Sequence, residues 1–286
     1  LTIFQMHENF KEKHPGVACS YELYRSEVSK MNIAFVKLVN EECEQCEHFS
    51  FHAHKKDNLK EDCEECQSYK SHVEKVSSAR EAYKKDAEKV WGNEEMIYSA
   101  DLQKVIMLPR CDMFKSVVFT QRLSVYNESY VPVGKKREAK IGACLWHEAV
   151  RGRKKEEIIS TVFKFLTTEA RDAKKVTLWM DNCTGQNKNW AFFTFLVFCV
   201  NSPRVCTQVI EIKYFEPGHT FMSVDSFHHR VEKSLHAMKK VYDFNDFKTA
   251  VKRSSTNVTV LDMKLEDFYE WKDFSTQEKK KIRGLT

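Results

Sequence analysis

Apolar residues recur at steps of three and four within the first 40 residues, which predicts an amphipathic helical segment. The stripe consists of Tyr21, Tyr24, Val28, Met31, Phe35 and Leu38. Residues 67–90 contain neither Gly nor Pro and are highly charged, so we expect a long helix with a narrow apolar seam. That seam would consist of Tyr69, Val73, Val76, Ala79 and Tyr83. The segment 41–66 between them is polar and dense in Cys and His.

From residue 96 onward, β-branched and aromatic runs alternate with helical ones. Strands are predicted at 96–108, 117–133, 141–150, 176–180 and 209–215, and helices at 154–170, 189–200 and 224–241. The short run 176–180 is apolar throughout, which is typical of a strand buried on both faces. The order β-β-β-α-β-α-β-α is an antiparallel start followed by parallel strands with crossover helices. We therefore expect an α/β fold with an RNase H-like mixed sheet.

These patterns divide the chain into four predicted segments. They are a helical N-terminal segment at 1–40, a zinc knuckle with the charged helix at 41–92, an RNase H-like catalytic core at 93–241 and a C-terminal appendage at 242–286. The last segment has aromatic and acidic stretches, and it either packs on the core or docks a partner. The chain begins with Leu1, so we expect it to be a fragment of a longer protein.

Composition narrows the function classes without choosing one. Of the 286 residues, 42% are hydrophobic and 30% are charged, which suits a soluble chain with a sizeable core. The formal net charge of +5 is compatible with a nucleic-acid partner. The most apolar run, 190–200, is too short to cross a bilayer, so we expect no membrane partner. The ten cysteines lack the spacing of a secreted disulfide scaffold, which favours a reducing compartment.

Three acids lie where an RNase H-like sheet would bring them together. Asp101 lies within the first strand, Asp181 directly follows the fourth, and Asp225 opens the last helix. Clustered carboxylates hold two divalent cations for phosphoryl transfer. Glu232 lies two helical turns beyond Asp225 and competes for the third ligand position. The alternatives are that Asp181 and Asp225 form a turn or cap a helix, and that three nearby histidines lie on the surface: His219, His228 and His229.

Two CxxC pairs separated by 16 residues indicate a tetrahedral zinc site with four thiolates. The ligands would be Cys43, Cys46, Cys63 and Cys66. The reserve ligands, for an arrangement of three Cys and one His, are His48, His52, His54 and His72. Such a site is closed and stabilises the fold instead of catalysing a reaction. The alternative is free surface thiols in a charged loop.

The segment 181–189 (DNCTGQNKN) resembles the DNCxGQNKN block of a large group of eukaryotic transposon-derived proteins. These look like DDE-type transposases with an RNase H-like core. Further blocks agree in the same order within residues 20–240: ADLQKVIMLPR at 100–110, Arg122-Leu123 with Tyr126-Asn127, LWHEAVRGRKKEEI at 145–158, and GHT…D…EK from 218 to 233. The chain departs from the family at His147, where an Asp is usual, and keeps Glu148.

This resemblance implies a nuclear, DDE-type transposase or integrase-like core that cleaves and joins DNA strands with Mg²⁺ or Mn²⁺. Asp101, Asp181 and Asp225 would hold the catalytic metal, and transposon ends and target DNA would be the partners. By the resemblance, Asn182, Gln186, Asn187 and Lys188 would shape the rim of the site or contact nucleic-acid backbone. Independently of the resemblance, Arg151 and Arg153 of a basic cluster are expected either to contact phosphate or to form a turn. The family also implies assembly into homo-oligomers.

Several alternatives stay open. The whole chain is either a transposase or a domesticated, inactive module that binds DNA or protein, and a third candidate is an RNase H-like nuclease that acts on RNA or hybrids. Residues 182–189 either shape the site or form a polar turn that caps the next helix. Basic clusters at 135–137, 151–155 and 279–283 either contact phosphate or form solvated faces.

Overall fold

The computed structural model describes residues 3–31, 43–92, 94–111, 117, 119–134 and 139–281, without the side chains of 278–281. The chain forms two compact units, Leu1–Glu42 and Cys43–Thr286. The boundaries expected at 92/93 and 241/242 fall inside the second unit. Phe35 and Leu38 of the predicted stripe, the basic turn 135–137 and the side chains of 279–283 lie outside the described residues.

The first unit contains two helices, α1 (Ile3–Lys13) and α2 (Tyr21–Lys30). The helix α2 begins after Ser20, whose hydroxyl accepts a hydrogen bond from the backbone N–H of Leu23 at 3.2 Å. The buried His7 of α1 bonds through Nε2 to the carbonyl of Cys19 at 2.9 Å. This bond ties α1 to the turn before α2.

The second unit alternates helices and strands. Its helices are α3 (Glu44–Ser50), α4 (Glu64–Glu88), α5 (Lys155–Thr167), α6 (Trp190–Asn201), α7 (Ser223–Met238), α8 (Phe244–Arg253) and α9 (Trp271–Lys281), with a 3₁₀ turn at Leu265–Asp267. Its strands are β1 (Glu95–Leu102), β2 (Ile106–Leu108), β3 (Arg110–Cys111), β4 (Leu123–Pro132), β5 (Ile141–His147), β6 (Lys175–Met180), β7 (Val209–Tyr214), β8 (Lys240–Val241) and β9 (Val258–Asp262). From β1 to α7 the predicted order is found, with the short β2 and β3 added after β1.

One mixed sheet forms the centre of this unit. Its strands lie in the order β7-β6-β1-β4-β5-β9, and β2 pairs with the start of β4. The strand β4 is antiparallel to both neighbours, whereas β6 and β7 run parallel to β1 and β9 runs parallel to β5. The strands β1, β5, β6, β7 and β9 therefore end at the same edge of the sheet, which we call the carboxyl edge. The predicted α/β class with a mixed sheet is confirmed.

Aromatic side chains pack one face of the sheet against α5, α6 and α9. Tyr130 of β4 stacks on Phe165 of α5 with ring centroids 4.3 Å apart. Phe195 of the strongly apolar α6 lies 4.7 Å from Trp271 of α9, measured between ring centroids. In the described parts of the chain, no helix combines the length and the hydropathy that a membrane span requires.

The opposite face of the sheet is covered by α7 and by the long charged helix α4. Tyr83 of α4 lies edge-on to Trp179 of β6 with centroids 5.2 Å apart, and Asp86 accepts the indole N–H of Trp179 at 2.8 Å. Val73 of the predicted apolar seam is 42% exposed, whereas the neighbouring His72 is buried. The predicted apolar seam is therefore wrong at this turn of α4, because the buried position is His72, which contacts the thiols of Cys43 and Cys46.

Residues 242–286 contribute to the sheet itself. The strand β9 pairs in parallel with β5, from Ile141 opposite Val258 to Leu145 opposite Asp262. Part of the segment predicted as a C-terminal appendage is therefore a strand of the sheet. Its five-residue strand is too short to stand out from the aromatic and acidic stretches around it, which explains why the pattern did not indicate it.

Candidate functional site

The carboxyl edge of the sheet brings together two of the three predicted Asp residues. Asp101 is the next-to-last residue of β1, and Asp181 directly follows β6. In the parallel pairing of these strands Ser99 lies opposite Trp179, so two residues further on Asp101 lies beside Asp181. Neighbouring strands are about 4.8 Å apart, so this register puts the backbone of Asp101 and of Asp181 at adjacent positions of one edge.

Asp225 enters the same region from the first turn of α7. It is exposed, and its Oδ2 accepts a hydrogen bond from the backbone N–H of Met222 at 2.7 Å, so it also caps the helix. Together with Asp101 it lines an open cleft of about 730 Å³, whose wall includes His228 and Glu232. Asp101 and Asp225 thus share one cleft, and Asp181 lies one strand away from Asp101.

The two candidates for the third ligand position differ in their partners. Oε2 of Glu232 pairs with Nη1 of Arg110 at 2.9 Å, and the same guanidinium bonds to Nε2 of His236 at 3.1 Å. A cation at Glu232 would therefore compete with an arginine. Asp225 accepts a neutral backbone N–H and also lies within electrostatic range of the guanidinium of Arg80. The direct ion pair of Glu232 with Arg110 is the contact that favours Asp225 over Glu232.

The three carboxylates do not form a group tight enough for a single cation among the described residues. Among the described residues, the groups of three or more Cys, His, Asp or Glu whose ligand atoms all lie within 4.8 Å of one another consist of Cys and His, so the three Asp residues form no such tight group. Two divalent cations lie about 4 Å apart, and each takes oxygen ligands at about 2 Å, so a two-metal site tolerates oxygens up to about 8 Å apart.

Asn187 holds Asp181 in place. Its side-chain amide donates a hydrogen bond to Oδ1 of Asp181. Its backbone carbonyl accepts a hydrogen bond from the hydroxyl of Tyr214 at 2.5 Å. Asn187 is 4% exposed, and its amide faces Asp181 instead of solvent, unlike the accessible side chain expected of a nucleic-acid contact. Burial and the charge of Asp181 raise the pKa of Tyr214 to about 12, so the hydroxyl stays protonated and donates.

The turn 182–188 presents the remaining predicted contact residues of this segment. The carbonyl of Cys183 accepts backbone N–H groups from 186–188, which folds the turn back on itself. Asn189 ends the turn and caps α6, as the alternative interpretation of this segment expected. Of the predicted contact residues in this turn, Asn182 and Gln186 are half-buried and Lys188 is exposed. The segment therefore combines a helix cap with a polar rim beside Asp181.

Basic side chains lie at the same edge of the sheet. Arg151 and Arg153 follow β5, and Arg153 is exposed. Arg151 forms an ion pair with Glu270 at 2.5 Å, so the chain itself engages this guanidinium. The cleft wall adds three basic residues that the sequence analysis did not single out: Lys104, Arg110 and Arg122. They lie in the blocks 100–110 and 122–127 that carry the family resemblance. Membership of these blocks is the sequence signal that could have identified them.

The three histidines near Asp225 have different surroundings. His228 lies at the cleft, with Nδ1 3.7 Å from Oδ2 of Asp101. Burial lowers the pKa of His228 to about 3, so the ring is neutral at physiological pH. His229 is exposed and also lines the cleft. His219 belongs to a Cys/His group described below.

A further carboxyl group, Glu128 of β4, is buried near the carboxyl edge and was not predicted as a site residue. It is 1% exposed, and its Oε2 accepts no hydrogen bond from the described residues. Burial raises the pKa of Glu128 well above its ordinary range, and the charges of Asp101 and Asp181 raise it further. The folded chain therefore favours the protonated acid.

Glu128→Gln is expected to remove a pH dependence of stability. A carboxyl whose pKa is raised by folding keeps a proton that the unfolded chain releases, so the free energy of unfolding falls as pH rises above 4.5, the ordinary value. The slope reaches about 1.4 kcal/mol per pH unit for one proton. Urea unfolding between about pH 5 and pH 7, without added magnesium, should show a smaller decline in the variant. Equal declines would contradict a protonated Glu128.

The first Cys/His group joins three separate segments. Cys43 and Cys46 lie at the start of α3, His72 lies on α4, and His219 lies in the loop between β7 and α7. Nε2 of His72 is 3.2 Å from Sγ of Cys43, 3.6 Å from Sγ of Cys46 and 3.2 Å from Nε2 of His219. Nε2 of His219 is 3.4 Å from Sγ of Cys46. This group could hold a metal such as zinc.

The second Cys/His group is local to residues 52–66. It consists of His52 and His54, which follow α3, and of Cys63 and Cys66 at the start of α4. Nε2 of His52 is 3.1 Å from Nδ1 of His54 and 3.3 Å from Sγ of Cys63. Nδ1 of His54 is 3.3 Å from Sγ of Cys66. This group, too, could hold a metal such as zinc.

The structure thus corrects the single four-thiolate site predicted from the sequence. Each CxxC pair begins a different helix, and each meets two histidines instead of the other pair. Three of these histidines were reserve ligands: His52, His54 and His72. His219 was missed because it lies 173 residues from Cys46 in the chain. His48, the fourth reserve ligand, is exposed and belongs to neither group.

The comparisons with known proteins bear on the second half of the chain. No curated protein and no solved structure matches the sequence. Residues 154–286 match the model of a family described as a domain of unknown function, DUF7869. The matched segment contains Asp181, His219 and Asp225, and it begins after Asp101 and both CxxC pairs. This part of the chain is therefore similar to that family.

Proposed function

We propose that the second unit is a DDE-type polynucleotidyl transferase with an RNase H-like core, which cleaves and joins DNA strands with Mg²⁺ or Mn²⁺. One observation carries the proposal: Asp101 and Asp181 lie side by side at the ends of adjacent parallel strands, and Asp225 shares the cleft of Asp101. Carboxylates brought together from separate elements are the donor set of a two-metal site, and here two of the three line the cleft while Asp181 follows the strand beside Asp101.

The strand order supports the RNase H-like assignment. The antiparallel strands β1, β4 and β5 form one half of the sheet, and β6 and β7 add in parallel on the other side of β1. The resulting order β5-β4-β1-β6-β7 is the arrangement expected for β-β-β-α-β-α-β-α. The strand β9 adds to the edge beyond β5.

The donors at the carboxyl edge suit hard divalent cations. Mg²⁺ prefers carboxylate oxygens and retains several waters, so a few acids on an open cleft suffice. When bound, two such cations would activate the attacking water or 3′-hydroxyl and stabilise the leaving oxygen. Asn187 orients Asp181 for this task, and the neutral His228 beside Asp101 adds no positive charge that would repel the cations.

The surroundings of the acids suit a nucleic-acid backbone. Ammonium, guanidinium and amide groups position phosphates without reading base sequence. Those at the cleft and at the carboxyl edge are Lys104, Arg110, Arg122, Arg153, Asn182, Gln186 and Lys188. The choice of DNA as the substrate, action in the nucleus and assembly into oligomers rest on the resemblance of DNCTGQNKN and its accompanying blocks to transposon-derived proteins.

The spacing of the carboxylates also favours a second candidate. Because the three Asp residues form no tight ligand group, a domesticated module that binds DNA or protein without turnover fits the same geometry. A nuclease that acts on RNA or RNA–DNA hybrids would use the same residues on another substrate.

The full chain is expected to cleave DNA only when Mg²⁺ or Mn²⁺ is present. Asp225→Asn should lower the rate at least about a hundredfold, because it removes a cation ligand, whereas Glu232→Gln should stay within about tenfold of the wild type. Cleavage is measured on duplex ends, DNA hairpins and RNA–DNA hybrids. Binding without cleavage of any substrate would favour the inactive module, and cleavage of hybrids alone would favour the RNA nuclease. Loss of cleavage in Glu232→Gln but not in Asp225→Asn would mean that Glu232, and not Asp225, is the third cation ligand.

A further inference from the structure

We propose that the chain binds two zinc ions in separate Cys₂His₂ sites, and that the first ion is a clasp that fixes α3 and α4 to the loop between β7 and α7. The first site consists of Cys43, Cys46, His72 and His219, and the second of His52, His54, Cys63 and Cys66. Neither site includes a residue of the acidic cleft. The proposal therefore stands or falls independently of the nuclease function.

The first site has the dimensions of a zinc tetrahedron. With Zn–S bonds of about 2.3 Å and Zn–N bonds of about 2.05 Å, the edges of a Cys₂His₂ tetrahedron are about 3.3–3.8 Å long. The four measured edges of the first site are 3.2–3.6 Å. Cys43 and His72 are buried, as expected for a closed structural site. Both histidines present Nε2, so their rings enter the site in the same way.

The second site meets the same test over a shorter stretch of chain. Its measured edges are 3.1 Å between the two histidine nitrogens and 3.3 Å for each of two nitrogen–sulfur pairs. All four ligands come from residues 52–66, so an ion there closes one local loop. Only the first site reaches the loop that leads into α7.

The contacts of α4 show what the first ion would fasten. Arg80 donates from Nη2 to the carbonyl of His219 and from Nη1 to the carbonyl of Phe221, each at 2.7 Å. The hydroxyl of Tyr83 accepts the backbone N–H of Ser223, the first residue of α7, at 2.8 Å. The loop thus lies along α4, and an ion on His72 and His219 adds a bond between the same two elements. Asp225 follows Ser223 by two residues, so the clasp also fixes the start of the helix that carries it.

Gly218 allows the loop to approach α3 closely enough to form the site. Its φ is +74°, and a Cβ at this position would lie 2.6 Å from Cα and 2.8 Å from Cβ of Cys43. The backbone of the loop therefore rests directly on the first ligand residue. This contact, next to His219 in sequence, brings a histidine of the core to two cysteines of α3.

Zinc content distinguishes the two sites. The full chain, purified without added metal and analysed by atomic emission, should hold two zinc ions. His219→Ala and His54→Ala should each hold one, and the double variant none. His219→Cys keeps a ligand and should hold two, which separates loss of a ligand from general unfolding. His48→Ala is the matched control, since this exposed histidine lies in neither group. One ion in the wild type, or two in His219→Ala, would overturn the proposal.

The clasp is tested by hydrogen exchange of the backbone amides of residues 215–225. His219→Ala should raise their exchange rates at least about tenfold, because local opening of the loop becomes easier. His54→Ala should leave them unchanged while exchange at 52–66 rises. Equal protection of 215–225 in the wild type and His219→Ala, or equal loss in both variants, would refute the clasp. Neither measurement involves DNA or magnesium, so its outcome is separate from that of the cleavage assay.

Discussion

Asp181→Asn is expected to reduce metal-dependent DNA cleavage at least about a thousandfold, which corresponds to about 4 kcal/mol of activation free energy. The amide that replaces the carboxylate has nearly the same shape but no charge, so it binds a divalent cation poorly. Asp181 lies after β6 and beside Asp101, and its loss would remove one of two adjacent ligands. Initial cleavage rates at saturating Mg²⁺ and Mn²⁺ measure the effect.

Two further variants separate the role of Asp181 from a general loss of charge. Asp172→Asn changes an exposed acid that precedes β6, at the opposite end of the same strand, and should leave the rate unchanged. Asn187→Ala removes the amide that bonds to Asp181, and a loss of about 10- to 100-fold is typical of such positioning groups. Thermal unfolding of Asp181→Asn should match that of the wild type. A variant at Asp181 that kept full activity would end the two-metal assignment.

The part of the fold that the sequence predicts well is the part with strong local periodicity. The buried strand at 176–180 and the helices after it stand out because each has one apolar pattern over its whole length. The strand β9 does not, because its five residues are all half-buried at the edge of the sheet. The predicted strand 96–108 also differs from the structure. It is broken at 103–105, where the chain leaves β1, and its last part forms β2, which pairs with β4.

The candidate site was predictable where it depends on strand order and was not where it depends on tertiary contacts. Asp101 and Asp181 follow from the pairing of two parallel strands, which the alternation of helices and strands already indicates. The partners of His219 and Asn187 do not follow in this way. His219 meets Cys46 across 173 residues, and the amide of Asn187 turns inward to Asp181 although its neighbours face solvent. The burial of Glu128 in β4 likewise depends on helices packed against the sheet.

The contact between Gly218 and Cys43 explains why sequence spacing alone paired the cysteines wrongly. Regular CxxC spacing suggests that the two pairs share one ion, since they are near each other in the chain. The structure instead uses a glycine with a positive φ to bring a distant loop against α3. His219 of the β7–α7 loop and His72 of α4 then stand beside Cys43 and Cys46, where the second CxxC pair was expected. The same glycine therefore provides a sharp test of the whole arrangement.

Gly218→Ala is expected to lower the free energy of unfolding by about 2–5 kcal/mol. A non-Gly residue in the left-handed region costs about 1–2 kcal/mol, and overpacking adds about 1–3 kcal/mol. Here the new Cβ would lie 2.6 Å from Cα of Cys43, and backbone cannot move aside as a flexible side chain can. The displaced loop would carry His219 away from Cys46, so we also expect the variant to lose one of two zinc ions. Urea unfolding and zinc analysis of the same preparations measure both effects.

Gly152→Ala is the matched control for this substitution. A Cβ at Gly152 would meet nothing within 4 Å, so its effect on unfolding should stay within about 0.5 kcal/mol and both zinc ions should remain. If Gly218→Ala unfolded like the control and kept two zinc ions, the close contact between the loop and Cys43 would be refuted. If it lost stability but kept both ions, the strain would be local to the turn, and His219 would still reach the site from a shifted loop.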